Sequence, residues 1–126
     1  MAYYISIENN VIQIALTGRV TGGDLQAVIA ETAQYERTPI TPHRVTDLSE
    51  ITELDVNFPD VMTIAQQRRK LKFQNSFKSA IIAQHDLHLG YARMFQTLND
   101  NPQIYIRIFA NRREADRWVS DGDESN

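Results

Sequence analysis

Three polar residues that follow short apolar runs have the side chains of a hydrolytic triad. Ser49 would supply the nucleophilic hydroxyl, His85 the base and Asp47 the carboxylate that orients the base. The serine lacks the Gly-x-Ser-x-Gly turn that exposes such a nucleophile above a sheet. Asp47 and Ser49 are also suited to bonding the backbone amides of a loop. We therefore favour a structural role for both and keep a hydrolase as the less favoured hypothesis.

Two histidines, His85 and His88, lie three residues apart at a predicted helix entry and could supply two ligands to a metal ion. A complete zinc site needs a third protein ligand, and helical histidine pairs usually follow the pattern His-Glu-x-x-His. We therefore predict that Asp86 caps the helix and that both histidines lie in the loop or at the surface. No metal or other cofactor is expected.

Two charged clusters flank the second predicted helix. They are the basic Arg68, Arg69, Lys70 and Lys72 at its end and the acidic Glu50, Glu53, Asp55 and Asp60 before it. Cations at the end of a helix and carboxylates at its start complement the helix dipole, so we predict a solvated basic end and a solvated acidic loop with Asp60 at the helix start. Because the formal net charge is -3 and no aromatic residues are interleaved with the basic cluster, we expect no nucleic acid partner.

The 126 residues are 42% hydrophobic and 23% charged, which is typical of a soluble globular domain. The sequence contains no cysteine, which excludes thiol catalysis, disulfides and cysteine-ligated metals. It shows neither a secretory signal nor a run of roughly 20 apolar residues, so we expect a cytoplasmic protein without a membrane span. We predict one domain over residues 1–119 and a flexible acidic tail over residues 120–126.

Five segments have the alternating or continuously apolar pattern of β-strands. They are Tyr3–Ile7, Val11–Leu16, His43–Leu48, Phe77–Ala83 and Ile104–Phe109. The turn-forming residues Glu8–Asn10 connect the first two segments, which should therefore form an antiparallel hairpin. The later strands alternate with helices, and such right-handed crossovers connect parallel strands.

Four helices are predicted between and after these strands. They start at Thr21 with Asp24 as its capping partner, at Pro59, at Asp86, and at Asn111 with Glu114 as its capping partner. Trp118 lies on the apolar face of the last helix and should pack against the sheet. The fold class is therefore α/β, with a mixed five-stranded sheet that combines an N-terminal antiparallel hairpin with a parallel core.

Several short motifs occur at particular places in this order of elements. They are Leu16–Thr21 at the first helix start, Asp47–Ser49 at the third strand end, and Phe109, Glu114–Ala115 and Trp118–Val119 near the end of the chain. Over residues 3–119 the chain resembles the STAS family of anti-sigma-factor antagonists, and more closely its SpoIIAA-like branch. The resemblance implies a STAS-like fold and a bacterial regulatory module.

One segment departs from the regulatory members of that family. These members carry Asp-Ser-Ser/Thr-Gly after the third strand, where a hydroxyl is phosphorylated to control partner binding. The corresponding residues here are Asp55–Phe58, and neither Val56 nor Asn57 has a hydroxyl. We therefore predict that this phosphorylation switch is absent.

Ligands of open α/β sheets bind beyond the carboxyl ends of the parallel strands. Asp47, Ser49, Asp55 and His85 follow such ends, and we predict that they form a binding crevice. The expected function is non-catalytic binding of a protein partner or a small ligand. The sequence leaves the identity of that partner and the formation of a homodimer open.

A second hypothesis follows from the similarity of the SpoIIAA-like branch to the CRAL-TRIO lipid-carrier fold, which implies an apolar pocket. Phe58 and Met62 on the second helix, with Tyr91 and Phe95 on the third, would then line this pocket. Such residues also form ordinary cores, so plain packing is the alternative. A large dry cavity would favour the carrier, whereas an exposed apolar patch would favour a protein partner.

Overall fold

The computed structural model describes residues 2–121, which contain five strands and four helices. The strands are β1 (Tyr3–Glu8), β2 (Val11–Thr21), β3 (His43–Asp55), β4 (Phe77–Ile82) and β5 (Ile104–Phe109). The helices are α1 (Gly22–Tyr35), α2 (Phe58–Arg69), α3 (Asp86–Leu98) and α4 (Arg112–Ser120). Each element includes a segment that the sequence pattern predicts, although two strands end much later than expected.

The strands form one sheet in chain order, β1-β2-β3-β4-β5. β1 and β2 are antiparallel, and all other neighbours are parallel. The hairpin turn consists of Asn9 and Asn10, whose φ angles are 53° and 62°. A type I′ turn requires positive φ at both positions, and asparagine tolerates it. The predicted fold class, a mixed sheet with an N-terminal hairpin and a parallel core, is confirmed.

Helices cover both faces of the sheet. α1, α2 and α3 lie on one face, where Ile81 packs with Ala92 of α3, and α4 lies on the other, where Ala80 packs with Trp118. All six residues of β4 are buried, as expected for a parallel strand that is covered on both faces. Trp118 is 9% exposed and packs against the sheet as predicted.

Two helices begin with complete capping boxes. Thr21 and Asp24 exchange side-chain and backbone hydrogen bonds at the start of α1, as predicted. Asn57 and Asp60 do the same at the start of α2, where Pro59 occupies the first turn. These side chains satisfy backbone amides that have no partner within the helix.

The other two helix starts differ from the prediction. His85, rather than Asp86, caps α3, because its imidazole accepts a hydrogen bond from the Leu87 amide at 3.4 Å. Asn111 caps α4 as predicted, by accepting from the Glu114 amide at 2.9 Å. The reciprocal hydrogen bond of a capping box, from the Asn111 backbone amide to the Glu114 carboxylate, is not formed within residues 2–121.

β2 and β3 continue well beyond the predicted segments Val11–Leu16 and His43–Leu48. They extend to Thr21 and Asp55, but β3 pairs with β4 only over its first few residues. The remainder of β3 pairs with β2 alone and forms a two-stranded ribbon. Gly18 has a φ of 66° beside a register shift in this ribbon, a conformation that glycine adopts without strain.

The acidic cluster lies mainly in the ribbon and not in a loop as predicted. Glu50, Glu53 and Asp55 belong to β3 because the strand continues through them. Arg19 on β2 pairs with Glu53 at 3.5 Å and also with Asp55, at exposed positions where such pairs contribute little stability. Asp60 lies in the first turn of α2, as predicted.

The predicted tail over residues 120–126 is described only at its start. Ser120 is the last residue of α4 and so belongs to the helix, whereas residues 122–126 lie outside the described residues. Among residues 2–121, no helix has the length and apolar character needed to cross a membrane.

Candidate functional site

A cavity of about 140 Å³ lies between the sheet and the three helices α1, α2 and α3. Its walls are mostly aliphatic or aromatic and include Ile14, Val28, Ile64, Ile81, Ala92 and Phe95. The polar residues that line it are Thr32, Arg44, Thr46, Ser79 and Tyr91. An apolar cavity of about 150 Å³ accepts benzene, so this one has room for roughly six to eight non-hydrogen atoms.

The ribbon of β2 and β3 closes one side of the cavity. Ile51 and Leu54 of the ribbon line it, as does Val56 directly after β3. The Tyr91 hydroxyl of α3 donates a hydrogen bond to the Val56 carbonyl oxygen at 3.0 Å. The strand extension that the sequence did not predict therefore completes the cavity wall and is tied to α3.

Two of the four residues predicted to line an apolar pocket do so. Tyr91 and Phe95 line the cavity, whereas Phe58 and Met62 do not. Phe58 is 50% exposed, and Met62, four residues later, lies on the same stripe of α2 and is only partly buried. The predicted pocket between α2 and α3 was wrong in position, because the buried stripe of α2 begins at Val61 and faces the sheet.

A buried ionic cluster adjoins the cavity. Arg68 of α2 donates from both terminal nitrogens to the Glu36 carboxylate, at 2.7 and 2.6 Å. Arg44 of β3 donates to the same carboxylate at 3.3 Å and to the Ser79 hydroxyl at 3.2 and 3.4 Å. All four residues are buried. One carboxylate thus serves two buried arginines, and Arg68 holds it through the shorter, bidentate contact.

Burial and charge shift the pKa values within this cluster. Burial acts to raise the pKa of Glu36, but the hydrogen bond from Arg68 and the charges of both arginines lower it overall from its usual 4.5. Burial, together with the nearby Arg68, lowers the pKa of Arg44 to about 9, and the charge of Glu36 opposes this only in part. Arg44 therefore carries its charge at neutral pH in an environment that disfavours it.

The arrangement of strands and helices is similar to that of an already solved protein. This is an uncharacterized protein of the DUF3478 family from Shewanella loihica PV-4, whose crystal structure is described as having a SpoIIAA-like fold. The TM-score is 0.57 at 18% sequence identity, and the match covers 94% of this chain and 92% of that chain. This chain has a SpoIIAA-like fold. No family model and no curated protein matches its sequence.

The SpoIIAA-like fold places Asp47 and Asp55, two of the four residues that were predicted to form a crevice, far apart. Asp47 lies within β3, and its carboxylate accepts from the Ser49 amide at 2.9 Å and from Arg112 of α4 at 3.2 Å. Asp55 ends the same strand eight residues later, which at about 3.3 Å per residue is roughly 26 Å away. His85 caps α3. Asp55 does not converge with Asp47, because β3 continues past the predicted strand end.

Ser49 and His85 are both exposed, and no hydrogen bond joins them in the part of the chain that the structure describes. The Asp47 carboxylate accepts from the Ser49 amide, as the structural interpretation predicted, but both residues lie within β3 and not in a loop before the second helix. Participation of these residues in binding a partner stays a prediction.

The two histidines do not share one environment. His85 is exposed, whereas His88 is buried. The centroids of their two imidazole rings are 4.8 Å apart. The predicted surface position of His88 was wrong, because His88 lies four residues before Ala92 on the buried face of α3. Burial, with a smaller effect of the neighbouring His85, lowers the pKa of His88. No group of three candidate metal ligands occurs within residues 2–121.

The sequence contained a signal for the ionic cluster that was misinterpreted. Arg68 follows Val61 and Ile64 at core spacing in α2 and is fully buried, although it was assigned to a solvated basic cluster with its exposed neighbours. Arg44 and the adjacent Val45 of β3 point to opposite faces of the sheet. Because helices cover both faces, both side chains are buried. Glu36, just after α1, carried no comparable signal.

Proposed function

We propose that this SpoIIAA-like protein is a non-catalytic binding module that holds a small, largely apolar molecule in the cavity beneath α1, α2 and α3. The observation that supports this role is the cavity itself, about 140 Å³ in volume with mainly aliphatic and aromatic walls. Small-molecule sites in proteins typically combine such walls with a few polar groups. Of the hypotheses that the sequence left open, the apolar-ligand carrier is thus the best supported.

An unfilled cavity of this size is costly for a folded domain. Protein cores are normally packed as densely as organic crystals. The cavity is open to solvent on one part of its wall, so its apolar lining is in contact with water, which costs roughly 25 cal/mol for each Å² that a ligand could cover. A ligand of matching shape would recover much of this free energy, which favours a site that is occupied during function.

The segment that replaces the family's phosphorylation motif has structural roles that fit such a module. Val56 lines the cavity and accepts the hydrogen bond from Tyr91. Asn57 caps α2. These contacts need no hydroxyl, and neither residue can accept a phosphate on one.

Filling the cavity from α3 should abolish binding of a neutral apolar probe. Ala92 is 4% exposed and lines the cavity, so the three additional carbons of Ala92→Leu would occupy the space that a ligand needs. In calorimetric titrations, the wild type should bind hexanamide, and Ala92→Leu should bind it at least about tenfold more weakly, a difference of about 1.4 kcal/mol.

A matched control is Ala30→Leu, which adds the same atoms at an exposed position of α1 and should leave binding unchanged. Should overpacking unfold the Ala92 variant, Val28→Phe adds four carbons to the cavity from α1 and serves the same purpose. Unaltered hexanamide affinity in a folded cavity-filling variant would argue against the proposed role.

A protein partner is a second candidate, favoured by exposed apolar side chains at two helix starts. Phe58 and Leu87 are 50% and 48% exposed, near the amino ends of α2 and α3. The double variant Phe58→Ser, Leu87→Ser should weaken capture of such a partner in pull-down experiments and leave hexanamide binding intact, because neither residue lines the cavity. A partner retained at full strength by the double variant does not use these side chains.

A further inference from the structure

We propose that the molecule held in the cavity carries a carboxylate, which binds the Arg44 guanidinium beside Thr32 and Ser79 while its hydrocarbon part fills the apolar space. This inference rests on the proposed function and specifies the ligand as a short-chain aliphatic carboxylate. It follows from three observations: the charge balance of the ionic cluster, the polar groups at the cavity wall, and the cavity volume.

The charge balance leaves Arg44 without a carboxylate of its own. Within the described residues, the ionic cluster contains two buried guanidiniums and one buried carboxylate. Arg68 holds Glu36 in a bidentate pair at 2.7 and 2.6 Å, whereas Arg44 reaches it only at 3.3 Å. Because an uncompensated buried charge is strongly unfavourable, an anion next to Arg44 would stabilise the folded protein.

The polar groups at the cavity wall can receive such an anion. A guanidinium has five N–H groups, and Arg44 uses its nitrogens in contacts of 3.2 to 3.4 Å with Ser79 and Glu36, so N–H groups remain available. The Thr32 hydroxyl is buried and has no hydrogen-bond partner within residues 2–121. Thr32 lies one helical turn before Glu36, which places its hydroxyl on the same side of α1 as the ionic cluster.

The cavity volume and lining select the remainder of the ligand. Arg44, Thr32 and Ser79 line the same space as Ile14, Val28 and Ile81, so polar and apolar walls meet in one cavity. An inorganic anion would contact the arginine but leave the aliphatic walls uncovered. A carboxylate with about five further carbons satisfies both walls within roughly the volume available.

The test compares hexanoate with hexanamide, which has the same number of non-hydrogen atoms but no charge. Calorimetric titrations of the full chain at about pH 7 should show hexanoate binding at least about tenfold more tightly, the range expected for hydrogen bonds to a charged group. Acetate, which lacks the hydrocarbon part, should bind far more weakly than hexanoate. Arg44→Met should abolish the preference for hexanoate and retain hexanamide binding.

The control variant is Arg69→Met, which removes the same charge from an exposed position next to the ionic cluster and should keep the preference. Equal affinities of the wild type for hexanoate and hexanamide would overturn the carboxylate assignment and leave the proposed function standing. Binding of neither compound would overturn both. A preference for hexanoate that survives in a folded Arg44→Met variant would also overturn the assignment.

The pH dependence of the wild type provides a measurement that needs no variant. The charged groups that face Arg44 are Glu36 at the end of α1 and Arg68 on α2. Since the pKa of Arg44 is about 9, the guanidinium loses its charge as the pH rises through that value. The preference for hexanoate should therefore shrink between about pH 7 and about pH 10.5, while hexanamide affinity stays constant.

Discussion

Replacing Glu36 by Gln should lower the free energy of unfolding by about 3 to 5 kcal/mol, because it removes the anion from between two buried guanidiniums. Arg44 and Arg68 would then face each other as uncompensated like charges in the core. Arg44→Met should cost much less, since Glu36 and Arg68 remain as a bidentate pair. Urea unfolding followed by circular dichroism measures both changes.

The pH dependence of stability distinguishes this role of Glu36 from simple packing. Since the folded protein lowers the pKa of Glu36 from 4.5, its contribution is present above that value and is lost as the pH falls below it. The wild type should therefore lose stability in acid more steeply than Glu36→Gln. Glu50→Gln, at an exposed position of β3, should change stability by less than about 0.5 kcal/mol. An equally small effect of Glu36→Gln would mean that the ionic cluster does not stabilise the fold.

Replacing Trp118 by Ala should cost about 3 to 5 kcal/mol, the usual loss when a large buried aromatic side chain is removed. The Trp118 ring packs against β3 and β4, lies 5.6 Å from the Phe109 ring between centroids, and has the Lys78 ammonium 5.3 Å from its centre. Because Trp118 is the single tryptophan of the chain, circular dichroism must replace fluorescence as the probe of the variant.

Trp118→Phe is the matched control, because it keeps an aromatic ring at the same position and should cost clearly less than the alanine variant. If Trp118→Ala changed the free energy of unfolding by less than about 0.5 kcal/mol, the range of surface substitutions, α4 would not be docked in solution as the structure describes.

The fold could be predicted from sequence because most of its elements are locally encoded. Asn9 and Asn10 tolerate the positive φ of the hairpin turn, and Thr21 and Asp24 are suited to a capping box. The ribbon could not be predicted in the same way. Beyond Leu48, the inward-facing Ile51 and Leu54 of β3 are three residues apart, which is not the alternation typical of a strand. The strand conformation there depends on pairing with β2 and on packing over the cavity.

The candidate site was predicted less completely, since it depends on contacts between residues distant in sequence. Tyr91 and Phe95 were found because they lie on the apolar stripe of α3. Considered individually, Arg44 and Arg68 have the charge that is typical of surface residues. Their burial is explained by pairing with Glu36, which lies 8 residues before Arg44 and 32 residues before Arg68 in the chain. Charge compensation of this kind has no sequence period, so pattern analysis does not detect it.

The agreement between strand order in the sheet and strand order in the chain has a consequence for how the molecule folds. Each strand after β1 pairs with the strand that precedes it in the chain. Each pairing therefore closes a loop no longer than one helix with its connections. Short loops lose the least conformational entropy when their ends are brought together. Among the hydrogen bonds of residues 2–121, the one with the largest sequence separation belongs to α4, whose Arg112 donates to Gln13, 99 residues earlier in the chain, at 3.0 Å. The sheet and the three helices on its cavity side can therefore assemble progressively along the chain, and the docking of α4 then links residues 112–120 to the hairpin of β1 and β2.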